Sequence, residues 1–283
     1  MRGEFVDLGS TRLYYYAAGT RGSGEPVIFL HGFPASSHLW RDVVREMPAG
    51  HRVVVVDLLG FGRSDRPGAS SLTAAAHAGR VRALMDDLHI DAACVVGHAM
   101  GGAVAQALAL DAPSRVTRLC LVNSTAFDAW PRRAARLARF VSAAAPVGRA
   151  LGAPLLAGLA HGSLLRGFAD EEAGRHALDH FLRAYTMHLG VAALVSQLRA
   201  MHDQSVSALG ARLPAITQPT AIVWGELDPW LSVRVGERLR DTIPGATLEV
   251  IAEARHFTPE DAPVRVAGAV AELLVRRSHA ASS

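Results

Sequence analysis

Residues 95–106 read VVGHAMGGAVAQ. An apolar strand end runs into Gly97-x-Ala99-x-Gly101, and an Ala-rich helical run follows. A strand that turns into a helix within so few residues crowds the backbone on both sides, and glycines two places before and after the turning residue relieve that crowding. The turning residue projects beyond the carboxyl end of its strand. At position 99 it carries only a methyl group.

Working outward, residues 26–32 (PVIFLHG), 52–58 (RVVVVDL), 118–125 (RLCLVNST) and 220–225 (TAIVWG) repeat the form of the strand before Ala99. Nearly uninterrupted Val, Ile and Leu is what a parallel sheet covered on both faces requires. Two alternating segments, 4–8 and 12–17, precede this series, and 248–254 (LEVIAEA) closes it. Helical stretches at 36–47, 71–89, 101–112 and 262–277 lie between or after the strands. The alternation predicts an α/β class with right-handed crossovers and a mostly parallel eight-stranded sheet.

The alternation stops after Asn123. Residues 128–212 are Ala-, Arg- and Leu-rich, helical in character and broken by Pro131, Pro146, Gly152, Pro154, Gly162 and Gly167. They read as a helical cap inserted into a core of residues 1–127 and 213–283. Ligands of open α/β sheets bind at the carboxyl ends of the strands, the edge such a cap would roof.

The 283 residues are half hydrophobic, enough for a large core. Formal net charge is +3, and all 29 basic residues are arginines, spread along the chain. That distribution fits a GC-rich coding bias and points to no nucleic-acid partner. Cys94 and Cys120 sit in apolar strands and read as buried thiols. The first residues, MRGEFVDLGS, lack the apolar stretch of a signal peptide, and no apolar run has membrane-spanning length. A cytoplasmic protein without membrane association is expected, as monomer or homodimer, with a small-molecule substrate.

Four strand ends carry polar or glycine-rich chemistry. His31-Gly32-Phe33-Pro34 follows the 26–32 strand, where a sharp turn would aim the Phe33 N–H into a cleft. Residues 57–67 (DLLGFGRSDRP) contain Gly60-x-Gly62, but Asp65 stands where a dinucleotide loop needs its third glycine, which excludes that reading. The turn at Ala99 places the Met100 N–H at a helix start, a natural anion donor beside Phe33. Asp228 (in WGELDPWL) and His256 (in ARHFTPED) follow late in the chain. The order of turn, acid and histidine is that of a Ser/Asp/His triad in which the nucleophile stands on the turn.

Five segments in this order (HGFP, DLLGFGRSDRP, GHAMGG, WGELDPW and RHFTPED) resemble the α/β-hydrolase fold family over residues 4–127 and 214–277. The resemblance implies a nucleophile at position 99, occupied here by Ala99. It implies His256 as base, Asp228 as its orienting acid, and an oxyanion hole of the Phe33 and Met100 N–H groups. His31, His98, Trp130 and Tyr185 are the candidate pocket residues, although both histidines also suit a structural role bonded to backbone. GHSMGG would be ordinary for the family's serine esterases and carbon–carbon bond hydrolases. GHDMGG would be ordinary for its epoxide hydrolases and dehalogenases, and HGFPASSHLWRDV resembles that aspartate branch somewhat more. Against it, Phe33 and Met100 stand where dehalogenases usually present Asn or Trp to halide, and the cap offers one tyrosine, Tyr185, where epoxide hydrolases usually offer two.

The implied function is that of a hydrolase, or an enzyme derived from one, acting on a small to medium apolar ester, thioester or epoxide. No cofactor and no metal is implied. His176 and His180, four apart beside Asp179, have metal-ligand spacing but no evident third ligand and read as a solvated helix face. Ala99 is compatible with a deliberate replacement, with natural loss, or with chemistry that uses His256 and Asp228 on water or on a substrate proton. Two other classes follow from it. One is a nucleophile-free lyase, cyclase or isomerase with His256 as proton shuttle; the other is a non-catalytic ligand-binding protein.

Overall fold

Val53–Val56 is four consecutive valines, all buried, and no polar residue interrupts Val27–Leu30 either. Such strands are stable only between two apolar layers. A computed structural model describes residues 3–19, 24–66, 71–129, 161–186, 196–197 and 205–276, and in it both strands lie at the centre of one eight-stranded sheet. The strands are β1 (Gly3–Asp7), β2 (Arg12–Ala18), β3 (Val27–Leu30), β4 (Val53–Val56), β5 (Ala93–His98), β6 (Val116–Val122), β7 (Thr220–Gly225) and β8 (Thr247–Ile251). Their order is β1-β2-β4-β3-β5-β6-β7-β8, antiparallel over the first two pairings and parallel from there on. All eight expected strands are present.

Because side chains alternate across a strand, the sheet feeds two cores. Ile28, Leu30, Val54, Val56, Val95, Leu119, Leu121 and Trp224 face one layer. It is built on α2 (Ala74–Asp87) and α3 (Met100–Asp111), with Leu239 of α6 (Val233–Thr242). Phe29, Val53, Val55, Cys94, Val96, Cys120 and Val122 face the other. That layer holds α1 (Arg41–Glu46) and α8 (Pro263–Val275). Cys94 and Cys120 are buried free thiols there, and burial pushes Cys120 up to about 12. The helix expected at 36–47 is a 3₁₀ turn, Ser37–Trp40, followed by α1; the Ser36 hydroxyl caps it by accepting from the His38 N–H.

Between β6 and β7 the described residues include α4 (Glu171–Thr186) and α5 (Ser205–Gly210), and a short helix, α7 (Thr258–Asp261), precedes α8. Phe168, Phe181 and Tyr185 are buried in the second core beside Trp40 and Phe257. Trp130 and most of the remaining insertion lie outside the described residues. Among the described residues no helix is long and apolar enough to cross a membrane.

Register decides where the loops emerge. Leu30 lies beside Gly97, His98 beside Val122, and Val122 beside Val223. The carboxyl ends of β3, β5, β6 and β7 therefore open side by side onto one edge. His31, Ala99, Asn123 and Asp228 stand on the segments that leave it.

On α2, His77 is buried and neither ring nitrogen has a hydrogen-bond partner among the described residues. Burial, and then Arg80, push it down to about 3. The unfolded chain charges this imidazole near pH 6.5 and the folded chain resists charging, so stability falls as pH drops from 6.5 toward 3. His77→Leu should raise stability at pH 7.5 by about 1 kcal/mol, the penalty of an unsatisfied buried polar group. The gain should widen at pH 5.5 by up to about 1.4 kcal/mol per unit of pH below 6.5. Urea denaturation at the two pH values tests this; an equal gain at both would mean that the imidazole is not held neutral by burial.

Candidate active site

The turn after β5 is as tight as its glycines imply. A Cβ on Gly97 would lie 2.4 Å from the Gly101 carbonyl oxygen, and one on Gly101 would lie 2.3 Å from that of Leu30. Only glycine lets these backbones meet. Ala99 is left at φ 47°, ψ −115°, a conformation that costs a non-glycine residue about 1–3 kcal/mol. The surroundings enforce it. The Ala99 N–H donates to Val122 O at 3.1 Å, and its carbonyl accepts from the N–H groups of Gly102 (3.0 Å) and Thr125 (3.1 Å) and from Thr125 Oγ1 (3.0 Å). This is the backbone of a nucleophile elbow, with alanine at its tip.

Gly32 faces that tip; a Cβ there would come within 2.7 Å of the Ala99 methyl. The Ala35 N–H closes the turn onto Gly32 O at 3.0 Å. Among the described residues the N–H groups of Phe33 and Met100 have no acceptor. Met100 opens α3, where first-turn N–H groups have no intrahelical partner and carry the positive end of the helix dipole. Free donors of this kind can take the charge of a developing oxyanion.

Asp228 and His256 meet at the same edge. His256 Nδ1 lies 2.8 Å from Asp228 Oδ2, both side chains being almost wholly buried. The carboxylate accepts three further bonds: from Asn123 Nδ2 at 2.8 Å on Oδ2, and from the N–H groups of Trp230 (2.8 Å) and Leu231 (2.9 Å) on Oδ1. Burial works to raise the Asp228 pKa, but the adjacent His256 and these donors together hold it below the ordinary range. Asp228 is thus ionised, the proton of the neutral imidazole sits on Nδ1, and Nε2 is the basic atom. Trp230 stands edge-on to the imidazole, ring centroids 4.8 Å apart.

The other candidates fall into supporting positions. His98, just before the elbow tip, is fully buried and its Nε2 lies 2.9 Å from the His256 carbonyl oxygen, which ties the histidine loop to the elbow. Burial pushes it down to about 3, so it stays neutral. His31, also fully buried, donates from Nδ1 to Gly32 O at 2.9 Å and accepts the Leu58 N–H at 3.1 Å. Both rings are wholly buried and bonded to backbone, while His98 Nδ1 has no hydrogen-bond partner among the described residues. Tyr185 is buried and its hydroxyl donates to Gln197 Oε1 at 2.7 Å, while Gln197 Nε2 donates to Gly60 O. Its one proton is engaged in holding the insertion to the loop after β4. That loop is ordered by Asp57, which accepts the N–H groups of Ser37 (2.6 Å) and Arg63 (2.8 Å). His180 and His176 are exposed, as a solvated helix face would be, although His180 also stacks on His38 at 4.0 Å. Among the described residues no group of three ligands could hold a metal.

Asn123 is the residue that sequence reading missed. It ends β6 at φ 40°, bonds Asp228 through Nδ2, and accepts the Gly225 N–H on Oδ1 at 3.1 Å. Thr258 Oγ1 lies 2.7 Å from Asn123 Oδ1 and from Arg255 O, within reach of donating to either. A polar residue closing an otherwise apolar strand was its only signal. Asn123→Leu should cost about 2–3 kcal/mol in urea denaturation, because it strands the Gly225 N–H and removes one donor from a buried carboxylate. It should also raise the pKa of Asp228 in a carboxyl NMR titration. An unmoved Asp228 pKa would show that Asn123 does not act through the carboxylate.

A family model described as alpha/beta hydrolase fold matches residues 25–263. The chain is 29% identical over 277 residues to haloalkane dehalogenase 2 of Mycobacterium tuberculosis, a similarity that covers 95% of this chain and 93% of that protein. It is 28% identical over 275 residues to a cis-3-alkyl-4-alkyloxetan-2-one decarboxylase of Shewanella oneidensis, covering 92% and 84%. In three dimensions it is similar to a thermophilic esterase from Thermogutta terrifontis, with a TM-score of 0.80, 26% identity and coverage of 97% and 98%. The family match, on a sheet of this order with this turn at its centre, makes the chain a member of the α/β-hydrolase fold family.

Proposed function

We propose that this chain is a hydrolase-derived enzyme for a small to medium apolar substrate that reacts at an acyl carbon, an ester or thioester. In this reading His256 is the general acid–base group, Asp228 holds its tautomer, and the Phe33 and Met100 N–H groups take the charge that develops on the carbonyl oxygen. Residues 128–212 act as the cap that selects the substrate. The observation that carries the reading is the 2.8 Å His256–Asp228 pair fastened, through His98, to an elbow that keeps its strained backbone around Ala99.

The epoxide alternative has less support. It calls for a hydroxyl able to protonate the opening oxygen, and Tyr185, the single tyrosine of the insertion, donates its proton to Gln197. The named relatives act through differing chemistry, a dehalogenase, a decarboxylase and an esterase, so they favour no one substrate. Their common ground with this chain is the fold. Ala99 itself favours a second reading, a ligand-binding protein without catalysis, and the test separates the two.

Loss of the nucleophile from a triad lowers turnover on the order of 10⁶-fold, while about 10³ over water survives from the oxyanion hole and binding. Turnover of a short-chain aryl ester and an aryl epoxide by the chain as it stands, Ala99→Ser and Ala99→Asp is the direct measurement. Ala99→Ser is expected to raise ester turnover at least about 10²-fold, the lower range of what a base-assisted nucleophile contributes. Rescue by Ala99→Asp on the epoxide instead would move the reading to the aspartate branch. If both variants fold and neither turns over either substrate, the hydrolase reading of this pocket fails and ligand binding leads.

A further inference from the structure

Everything a nucleophile would work with at this site is built, and the nucleophile is not. Asp228 accepts four hydrogen bonds, one of which holds His256 Nδ1–H. That leaves Nε2, which has no hydrogen-bond partner among the described residues, as a directed base beside the elbow. Among the described residues the two N–H donors at Phe33 and Met100 are uncommitted, and the Ala99 backbone next to Met100 is fastened by hydrogen bonds to Val122, Gly102, Ala103 and Thr125. With a methyl group at position 99, and no other nucleophile assigned at this elbow among the described residues, an attacking atom for an acyl carbon would come from a second substrate or from water.

We infer that this site performs direct acyl transfer: His256 activates the hydroxyl of a second substrate, or water, for attack on an activated ester or thioester, in a single displacement without an acyl-enzyme. The inference rests on the acyl-substrate reading above. In the first half of the step His256 Nε2 removes the O–H proton as the oxygen bonds to the acyl carbon. The carbonyl π pair moves to oxygen, facing the Phe33 and Met100 N–H groups. In the second half that pair re-forms the C=O bond, the C–S or C–O bond breaks, and the leaving thiolate or alkoxide takes the proton back from His256. The products are one thiol or alcohol and one ester, or one acid where water attacks. No oxidant, metal or further reactant enters the balance.

The imidazole surroundings bear on which hydroxyl is used. Trp230 and Phe257 lie edge-on to the His256 ring, centroids 4.8 Å and 5.2 Å away. Phe257 is wholly buried, and the partly buried Trp230 gives the imidazole an apolar flank that favours an alcohol with an apolar body, since burying that body is favourable and water has none to bury. Water and alcohol share the reacting group, and product analysis distinguishes them.

The experiment uses the full chain with a phenyl thioester of butyric acid, with and without 1-butanol, following thiol release and separating butyl butyrate from butyric acid. Turnover by the chain as it stands is expected to exceed buffer, with no burst and no acylated chain by intact mass. It should fall about 10²-fold or more in His256→Ala, the usual contribution of a general base. Free imidazole should restore part of it in His256→Gly, a recovery that a merely misfolded variant would not show. Butyl butyrate rising with butanol identifies the alcohol as acceptor, and butyric acid alone identifies water; either supports direct transfer. No turnover above buffer, turnover indifferent to His256, or an acyl adduct on the chain would overturn it. If Ala99→Ser is active and acylated while the chain as it stands is inert, this inference falls and the acyl-substrate reading stands. If both are inert, that reading falls with it.

Discussion

The site depends on one backbone constraint: Ala99 held at positive φ between two glycines that allow nothing larger. The strain is local, but what enforces it is not. Val122 comes from the neighbouring strand, Thr125 from the loop beyond it, and the Leu30 carbonyl that meets Gly101 from the strand on the other side. Three parallel strands thus converge on a single peptide. The register of the sheet is therefore also the register of the site, since a slip of one residue would send each loop out from the wrong face.

The same convergence accounts for the acid–base pair. Asp228 leaves β7 and His256 follows β8, and neither loop could set a carboxylate–imidazole distance alone. Asn123 does so from β6, with its amide bridging the acid and the start of its loop. His98 adds a second tie, from the elbow to the His256 carbonyl. A buried carboxylate is costly unless its lone pairs are satisfied. The four donors around Asp228 keep it ionised against a burial that would otherwise favour its neutral form.

Much of this was legible in the sequence because it is local. Runs of valine marked the buried strands, glycine spacing marked the elbow, and the order of the acid and histidine segments marked the pair. What escaped depends on residues far apart in the chain. Asn123 looks like the polar end of a strand until Asp228 and Gly225, about a hundred residues on, are placed beside it. The bond from Tyr185 to Gln197 joins two residues of the insertion whose neighbourhood no local pattern reveals. Helix α6 was not anticipated: its charged face hides a buried side consisting of little more than Gly236 and Leu239. Gly236 is there because a Cβ would come 2.8 Å from the Trp224 ring, a packing reason that local pattern does not carry.

The elbow also separates two things that triad language joins. Its geometry is imposed by residues 97, 101, 122 and 125, and none of them requires a particular side chain at 99. The acid–histidine pair is likewise placed by other elements. In the proposed reading, a hydroxyl or carboxylate at position 99 would be an attacking group mounted on a backbone that holds its shape without it. Alanine presents no attacking group and leaves the Asp228–His256 pair and the Met100 N–H where they are. Glycine would have relaxed the strained backbone at no steric cost, and with it the aim of the Met100 N–H. Alanine keeps that direction by having fewer conformations to escape into.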